Sequence, residues 1–399
     1  MVNCRLSETD KIELINKFLA NRISAAELEQ LRDCIDAKDL AVIIQRIYDL
    51  NNKQVMKIAA LEWVMGFVDG IKNNVRTSRF LKKINNNFRV PGNKIILAEG
   101  DSWFNYPIIL TDVIDWIAME PNFAVSSLAS GGDWLLNMLS QRVYVEELSI
   151  LHPDVFLISA GGNDLVGRSR VAAIVDPTGA SSEFNDNEFC RELIAKVKQD
   201  PIIELDQARF NNGLRFLSKD FYALLMFFHL QYHYLINGIL TGNTGDAANS
   251  KFPGIQIITQ GYDYAQPSHK LGFGLNPLRW YKPFVRMFLG HGSWLKTPLQ
   301  MRGINNEQDL RDVVYAMIYL FNEMMIKTGD LFCKLPGLEH SVFHVDSRGA
   351  IGDLGWTDEL HPLPRNFKRT GETFIKCINR EPSKHGQVYV VNDFFPLNK

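Results

Sequence analysis

Residues 94–103 read KIILAEGDSW, and the fold class follows from this stretch. Lys94 is followed by four apolar residues that end at Ala98, which is the pattern of a short strand buried on both faces. Gly100 ends the strand and places Ser102 just beyond its carboxyl end. A serine at this position is either the N-cap of a following helix or a nucleophile at the edge of a sheet.

Runs of the same kind recur along the chain and alternate with helical patterns. The further candidate strands are residues 123–128, 155–159, 255–259 and 341–345, and the candidate helices between them are residues 108–119, 133–148, 216–240 and 310–326. This alternation predicts a three-layer, flavodoxin-like α/β domain with a mainly parallel five-stranded sheet. Two regions are longer than crossovers require, which predicts insertions around the site at 167–210 and 265–306.

The residues before this domain have a different pattern. Helical spacing and a capping box predict helices throughout the first part of the chain, among them 39–50 and 55–68. The break at Pro91 and Gly92 predicts a domain boundary there, with a small all-α N-terminal domain at 1–90 and the α/β domain at 91–399. The basic stretch just before the break favours a solvated linker or an exposed helix face over a contact with an acidic surface.

Composition excludes several classes of function. The 399 residues are 46% hydrophobic and 22% charged with a net charge of −2, which is ordinary for a globular protein and does not favour nucleic-acid binding. Five scattered cysteines without a CxxC pair indicate free thiols, and the first residues lack the organisation of a signal peptide. We therefore expect a cytoplasmic protein. The longest uncharged run, 221–240, contains four polar residues and is predicted to be a buried helix.

The candidate site residues follow successive predicted strands. If the strand order is 2-1-3-4-5, the loops after the first three strands converge on one crevice at the carboxyl edge of the sheet. These loops carry Ser102, the pair Gly131 and Gly132, and Asn163. Near the C-terminal end, Asp358 and His361 add a carboxylate and an imidazole three residues apart. These are the parts of a serine acyl hydrolase.

Four blocks in this order resemble the SGNH branch of the GDSL-type serine esterases and lipases. The resemblance covers residues 94–380 and leaves the helical N-terminus unexplained. In the first block, Trp103 occupies the position of the leucine in the Gly-Asp-Ser-Leu motif that gives the GDSL family its name. The four blocks are Gly100-Asp101-Ser102, Ser130-Gly131-Gly132-Asp133, Gly161-Gly162-Asn163-Asp164 and Asp358-Glu359-Leu360-His361-Pro362.

The resemblance implies a role for each site residue. Ser102 is the expected nucleophile, His361 the base that takes its proton, and Asp358 the acid that orients the imidazole. The expected oxyanion donors are the Ser102 backbone N–H, a glycine N–H and the Asn163 side-chain amide. Gly132 is the favoured glycine, and Gly131 stays open. This chemistry requires no cofactor and no metal.

The substrate is less closely defined by the sequence. Aromatic and basic residues are mixed in 271–299, which suits either an interfacial lid for lipid or an insertion packed on the domain. We expect a lipid or another hydrophobic acyl ester, with peripheral membrane contact as one possibility, and a carbohydrate acetylesterase is the alternative. Whether water or another alcohol accepts the acyl group is open. A different hypothesis is a partner-recruited effector, in which the N-terminal helices bind a protein and gate the hydrolase domain.

One further motif has the spacing of a metal site. His229 and His233 lie at i and i+4, but the residues between them lack the glutamate of the metalloprotease motif and no third ligand is evident. They are predicted to be core or rim histidines.

Overall fold

The computed structural model describes residues 6–19, 27, 30, 72–85, 87–106, 111–182, 188–268 and 294–397. The helices predicted at 39–50 and 55–68 lie outside these ranges. So does most of the aromatic and basic segment, up to residue 293.

Six parallel strands form the sheet, in the order β2-β1-β3-β4-β5-β6. The first five match the five predicted strands, and they lie in the order 2-1-3-4-5 that was assumed for the site. The expectation of a five-stranded sheet is corrected by β6, which pairs with the edge of β5. Its three residues are too few to show a periodic pattern, so only pairing with β5 defines it as a strand. The strands are β1 (Lys94–Gly100), β2 (Phe123–Ser127), β3 (Val155–Ser159), β4 (Gln256–Gln260), β5 (Val342–Asp346) and β6 (Val388–Val390).

Helices precede, separate and follow the strands. The region predicted as one helix at 133–148 is two helices, because Arg142 takes the left-handed conformation with φ of 57° between them. The helices are α1 (Glu8–Leu19), α2 (72–84), α3 (Val113–Ala118), α4 (Leu135–Gln141), α5 (Val143–Leu151), α6 (Gly162–Val166), α7 (Glu188–Gln199), α8 (Gln207–Leu214), α9 (Lys219–Thr241), α10 (Lys296–Met301), α11 (Glu307–Cys333), α12 (Pro364–Ile378) and α13 (Val391–Phe394).

Two groups of helices cover the sheet. Helix α3 packs with α12, while α8 and α9 pack with α11. The central strands are buried on both sides, and residues 155–158 of β3 have no exposed surface, as expected for a parallel sheet between helical layers. Among the described residues, no helix combines the length and hydropathy needed to span a membrane.

Helix α2 packs against the α/β domain. Its Phe80 shares an apolar cluster with Ile95 of β1 and Ala124 of β2. On the same helix, the side chains of Lys72 and Arg76 are only 9% and 3% exposed. The expectation of a solvated basic face is therefore wrong for these two residues. Each cation meets buried carboxylates that follow β1 in sequence, and a local charge pattern cannot show such a contact. The boundary near residue 90 stays a prediction.

Candidate active site

Ser102 lies in a tight turn directly after β1. Within this turn, the Asp101 carbonyl accepts hydrogen bonds from the N–H groups of Phe104 (3.0 Å) and Asn105 (2.9 Å). A carboxylate oxygen of Asp101 also accepts from the Trp103 N–H at 3.1 Å. Glycine is required at position 100, because a Cβ there would lie 2.7 Å from the Ser159 carbonyl oxygen. The turn therefore presents Ser102 at the carboxyl edge of the sheet.

The structure brings Asp358 and His361 to Ser102. The Nε2 atom of His361 is 2.7 Å from Ser102 Oγ, and its Nδ1 atom is 2.9 Å from an Asp358 carboxylate oxygen. The same carboxylate accepts hydrogen bonds from the backbone N–H groups of Leu360 and His361, both at 2.8 Å. Asp358 and His361 are buried. Because the carboxylate is held by its own loop, it holds the imidazole in one orientation, with Nδ1 toward the acid and Nε2 toward the hydroxyl.

Asn163 lies on the wall of the same cavity as Ser102 and His361. Its side-chain amide donates to the Asp133 carbonyl at 3.0 Å, which links α6 to the glycine block. That block is tied to β1 by the Ser130 N–H, which donates to the Gly100 carbonyl at 2.9 Å. These contacts bring the three predicted loops to one edge of the sheet, as the strand order requires.

Within the glycine block, Gly132 has φ of 84°, a conformation that favours glycine. The oxyanion roles of Ser102, Gly132 and Asn163 remain predictions, and so does the choice between Gly132 and Gly131.

An open pocket of about 560 Å³, a volume that includes solvent at its mouth, lies beside Ser102 and His361. Trp103 is part of its wall, and the indole N–H of Trp103 donates to the Leu360 carbonyl at 3.3 Å. The Trp103 ring also meets the Tyr262 ring edge-on at 5.6 Å. Apart from the polar site residues the wall is mainly aliphatic, formed by Leu165, Val166, Ala265, Leu295, Val314, Met317, Ile318 and Leu360.

Tyr262 is a site residue that the motifs did not reveal. Its hydroxyl donates to the Asp101 carboxylate at 2.5 Å and accepts from the Gly162 N–H at 2.9 Å, so it joins the nucleophile turn to the block of Asn163. Burial raises the pKa of Asp101 to about 7, although the hydrogen bonds from the Tyr262 hydroxyl and the Trp103 N–H act in the opposite direction. Burial and the neighbouring Asp101 raise the pKa of Tyr262 well above its usual value. The available signal was its position, three residues after the predicted strand 255–259.

Glu359, inside the last block, is also buried and was not singled out. Its carboxylate accepts hydrogen bonds from four backbone N–H groups, those of Ser268, Trp294, Leu295 and Lys296. Burial raises the pKa of Glu359 to about 7, although these N–H groups act in the opposite direction. Leu295, which binds this carboxylate, and Leu360, which follows Glu359 in sequence, both line the cavity. The Glu359 carboxylate therefore connects the loop of Asp358 and His361 to the cavity wall.

The two histidines of α9 contact side chains of helix α11 within the described part of the chain. The Nδ1 atom of His229 is 2.7 Å from Thr328 Oγ1, and the His233 ring packs 5.0 Å from the Phe332 ring. Burial lowers the pKa of His229. Within the described ranges, no group of three or more histidine, cysteine, aspartate or glutamate residues has the arrangement of a metal site.

Comparison with known proteins gives matches among solved structures alone. No family model and no curated protein matches the chain. An extracellular lipase from Streptomyces rimosus has 14% identity and a TM-score of 0.34, and the match covers 70% of this chain and 96% of the lipase. A phospholipase A1 from Streptomyces albidoflavus NA297 has 12% identity and a TM-score of 0.32, and the match covers 73% of this chain and 100% of the phospholipase. A variant of an acetyl-xylooligosaccharide esterase from Geobacillus Stearmophilus has 11% identity and a TM-score of 0.30, and the match covers 73% of this chain and 96% of the esterase.

At these identities and TM-scores the neighbours do not assign a chemistry to this chain. The sheet order places the blocks of the nucleophile, the glycines and Asn163 after adjacent strands, and the last block brings His361 to Ser102. The chain therefore has an α/β fold with a parallel sheet, and the blocks that resemble those of the SGNH/GDSL type lie together at its carboxyl edge.

Proposed function

We propose that this chain is a serine ester hydrolase that acts through an acyl-enzyme on Ser102. One observation carries the proposal: Ser102 Oγ, the His361 imidazole and the Asp358 carboxylate form a continuous chain, with the 2.7 Å and 2.9 Å contacts given above. A hydroxyl is a weak nucleophile unless a positioned base takes its proton, and an imidazole held by a buried carboxylate is such a base.

The proposed reaction has two steps. In the first, Ser102 Oγ attacks the acyl carbonyl carbon while its proton passes to Nε2 of His361. The tetrahedral intermediate then releases the alcohol, which takes that proton. In the second step, water gives a proton to His361 and attacks the acyl carbonyl carbon. The tetrahedral intermediate then releases the acid, and His361 returns the proton to Ser102 Oγ. Asn163 and a glycine N–H are proposed to stabilise the negative charge on the carbonyl oxygen in both steps.

The proposed substrate is a hydrophobic acyl ester. The aliphatic wall of the cavity next to Ser102 supports this class, because each buried methylene group contributes about 0.8 kcal/mol. A series of p-nitrophenyl esters from acetyl to decanoyl tests this point. We expect kcat/KM to rise about fourfold for each added methylene until the cavity is full. A preference for acetyl over octanoyl would instead support the carbohydrate acetylesterase.

The location and partners of the protein belong to this proposal as well. A cytoplasmic location is supported by the free thiols of Cys333 and Cys377 within the described residues. Peripheral membrane contact would depend on the segment before residue 294, and a protein partner on the N-terminal helices.

Active-site labelling followed by peptide mapping is the direct test of the nucleophile. A fluorophosphonate probe should modify Ser102, and Ser102→Ala should abolish both labelling and turnover while the protein remains folded. Retained turnover in the Ser102→Ala variant, or a label on another residue, would contradict the assignment. Far-UV circular dichroism of the variant controls for folding.

A further inference from the structure

Helix α2 lies outside the region that resembles the esterases, yet it contacts the turn that carries the nucleophile. The Arg76 guanidinium donates to the Phe104 carbonyl at 2.9 Å and approaches the Asn105 side-chain oxygen at 3.4 Å. On the same helix, Lys72 Nζ lies 3.3 Å from the Tyr106 carbonyl. Helix α2 thus contacts three consecutive residues that begin two positions after Ser102.

Two buried carboxylates hold these cations in place. Asp112 accepts from Arg76 at 2.6 Å and from Lys72 at 2.5 Å, and Asp115 accepts from Arg76 at 3.1 Å. Asp112 also accepts from the Tyr106 N–H at 3.0 Å. Two positive and two negative charges therefore balance in a buried cluster. Such a cluster fixes geometry well, because moving any one charge leaves another unpaired.

The same helix reaches the glycine block. The Asn73 side-chain amide donates to the Ala129 carbonyl at 3.2 Å, and the Asn105 amide donates to the same oxygen at 3.1 Å. Ala129 directly precedes Ser130 and the two glycines. The two loops proposed to hold the nucleophile and an oxyanion donor are therefore both attached to α2.

A third contact extends the connection to the base. The Tyr106 ring meets the His361 imidazole edge-on, with ring centroids 5.0 Å apart. Because Lys72 and Asp112 bind the backbone of Tyr106, the position of this ring depends on the buried charge cluster.

We propose that helix α2 is part of the working hydrolase and that Arg76 is a positioning residue for the turn that carries Ser102. This inference rests on the proposed esterase function. Arg76 contacts no reacting atom. It acts through Phe104, Asn105 and the carboxylates, and a displacement of a nucleophile by about 1 Å can cost on the order of 100-fold in rate.

The test compares three variants of the full chain. Arg76→Lys keeps the charge but loses the fork that binds several acceptors at once. Asn73→Ala removes a single bond to the glycine block and leaves the buried charges intact. Lys83→Met is the matched control, since Lys83 lies on the same helix and donates to the carbonyls of Ala118, Glu120 and Phe123, away from both loops.

Steady-state kinetics on one p-nitrophenyl ester give the first measurement, well below the melting temperature of each variant. For Arg76→Lys we expect kcat to fall about 10- to 100-fold with KM within threefold of wild type. Asn73→Ala should lower kcat about threefold to tenfold, and Lys83→Met should keep kcat within twofold even where its stability is lower. Equal effects of Arg76→Lys and Lys83→Met on kcat would overturn the inference.

Amide hydrogen exchange gives a second measurement that does not depend on turnover. In Arg76→Lys we expect exchange to accelerate at least tenfold at residues 101–106 and 129–133, and in Lys83→Met to remain unchanged there. An inactive, unlabelled wild-type protein would contradict the proposed function, and the exchange data would still decide the role of α2. Unchanged exchange at both loops in Arg76→Lys would overturn that role.

Discussion

The side-chain amide of Asn163 has two N–H groups, and the structure assigns one of them to the Asp133 carbonyl. No contact among the described residues occupies the other, and Asn163 lies on the wall of the cavity where the proposed oxyanion would form. A donor that is fixed before the reaction costs no reorganisation when charge develops, and this is why such donors act mainly on the transition state. At the residue scale, Asn163 is therefore the most direct test of the proposed oxyanion site.

Asn163→Ala should lower kcat by about 100- to 1,000-fold and leave KM nearly unchanged, because the lost donor acts on the transition state. Initial rates over a range of ester concentrations measure both constants. The control is Asn137→Ala, which removes an exposed amide that also binds Asp133, through its carboxylate. A rise in KM with unchanged kcat would show that Asn163 binds the ground state instead.

Glu359→Gln should lower the free energy of unfolding by about 2 kcal/mol, because an amide nitrogen would replace an oxygen that now accepts from two backbone N–H groups. Urea unfolding followed by tryptophan fluorescence measures the change. Glu339→Gln is the control, since the Glu339 carboxylate is exposed and accepts from backbone N–H groups of its own turn only, those of Gly337 and Glu339, among the described contacts. Equal stability of the two variants would contradict the structural role given to Glu359.

At the scale of elements, the strands were the easiest to predict, and the contacts of the helices the hardest. Buried parallel strands are continuous apolar runs, so all five longer strands could be read from sequence, while β6 is too short for a pattern. The basic residues of α2 suggested a solvated face. Two of them are buried against Asp112 and Asp115, which are about forty residues away in sequence. A charge pattern in the sequence reflects neighbours along the chain, whereas these ion pairs form only in the tertiary structure.

Removal of residues 1–90 should therefore prevent stable folding of the remaining chain. Without Lys72 and Arg76, the buried Asp112 and Asp115 lose their cations, and breaking a buried pair typically costs about 3–5 kcal/mol. A chain that begins at Gly70 retains α2 and is the matched comparison. Thermal unfolding by calorimetry distinguishes them, and equal melting temperatures would contradict the role given to α2.

At the scale of the whole molecule, buried carboxyl groups determine how stability depends on pH. Asp346 has a lowered pKa because Arg348 lies beside it, so it stabilises the fold above the pKa of the unfolded chain, near 4. Other carboxyl groups are buried and form no salt bridge among the described residues, and burial raises their pKa. Burial raises the pKa of Glu99 to about 8 and of Asp263 to about 7, as it does for Asp101 and Glu359.

The free energy of unfolding should fall by about 2 kcal/mol or more as the pH rises from 6.5 to 8.0. An acid whose folded pKa is raised keeps its proton in the folded state after the unfolded state has lost it, so stability decreases as pH rises toward the folded pKa. His344 has the opposite effect at lower pH, because burial lowers its pKa to about 4 and stability is lost below about 6.5.

Calorimetry at pH 6.5 and 8.0 and constant ionic strength measures this dependence. The control is Glu99→Gln, which removes the group with the highest of these pKa values and should flatten the profile. A melting temperature that is equal or higher at pH 8.0 in the wild-type chain would contradict the prediction.

The sequence alone indicated the five longer strands and the residues that follow them, and the assumed order 2-1-3-4-5 brought those residues to one sheet edge. Short buried strands, glycine turns and the four blocks are local patterns, and the topology of a parallel sheet brings their ends together. Only the tertiary structure determined the contacts of Tyr262, Glu359 and Arg76. Their partners are distant in sequence, and their burial is stabilised by particular backbone and carboxylate groups that exist as neighbours only after folding.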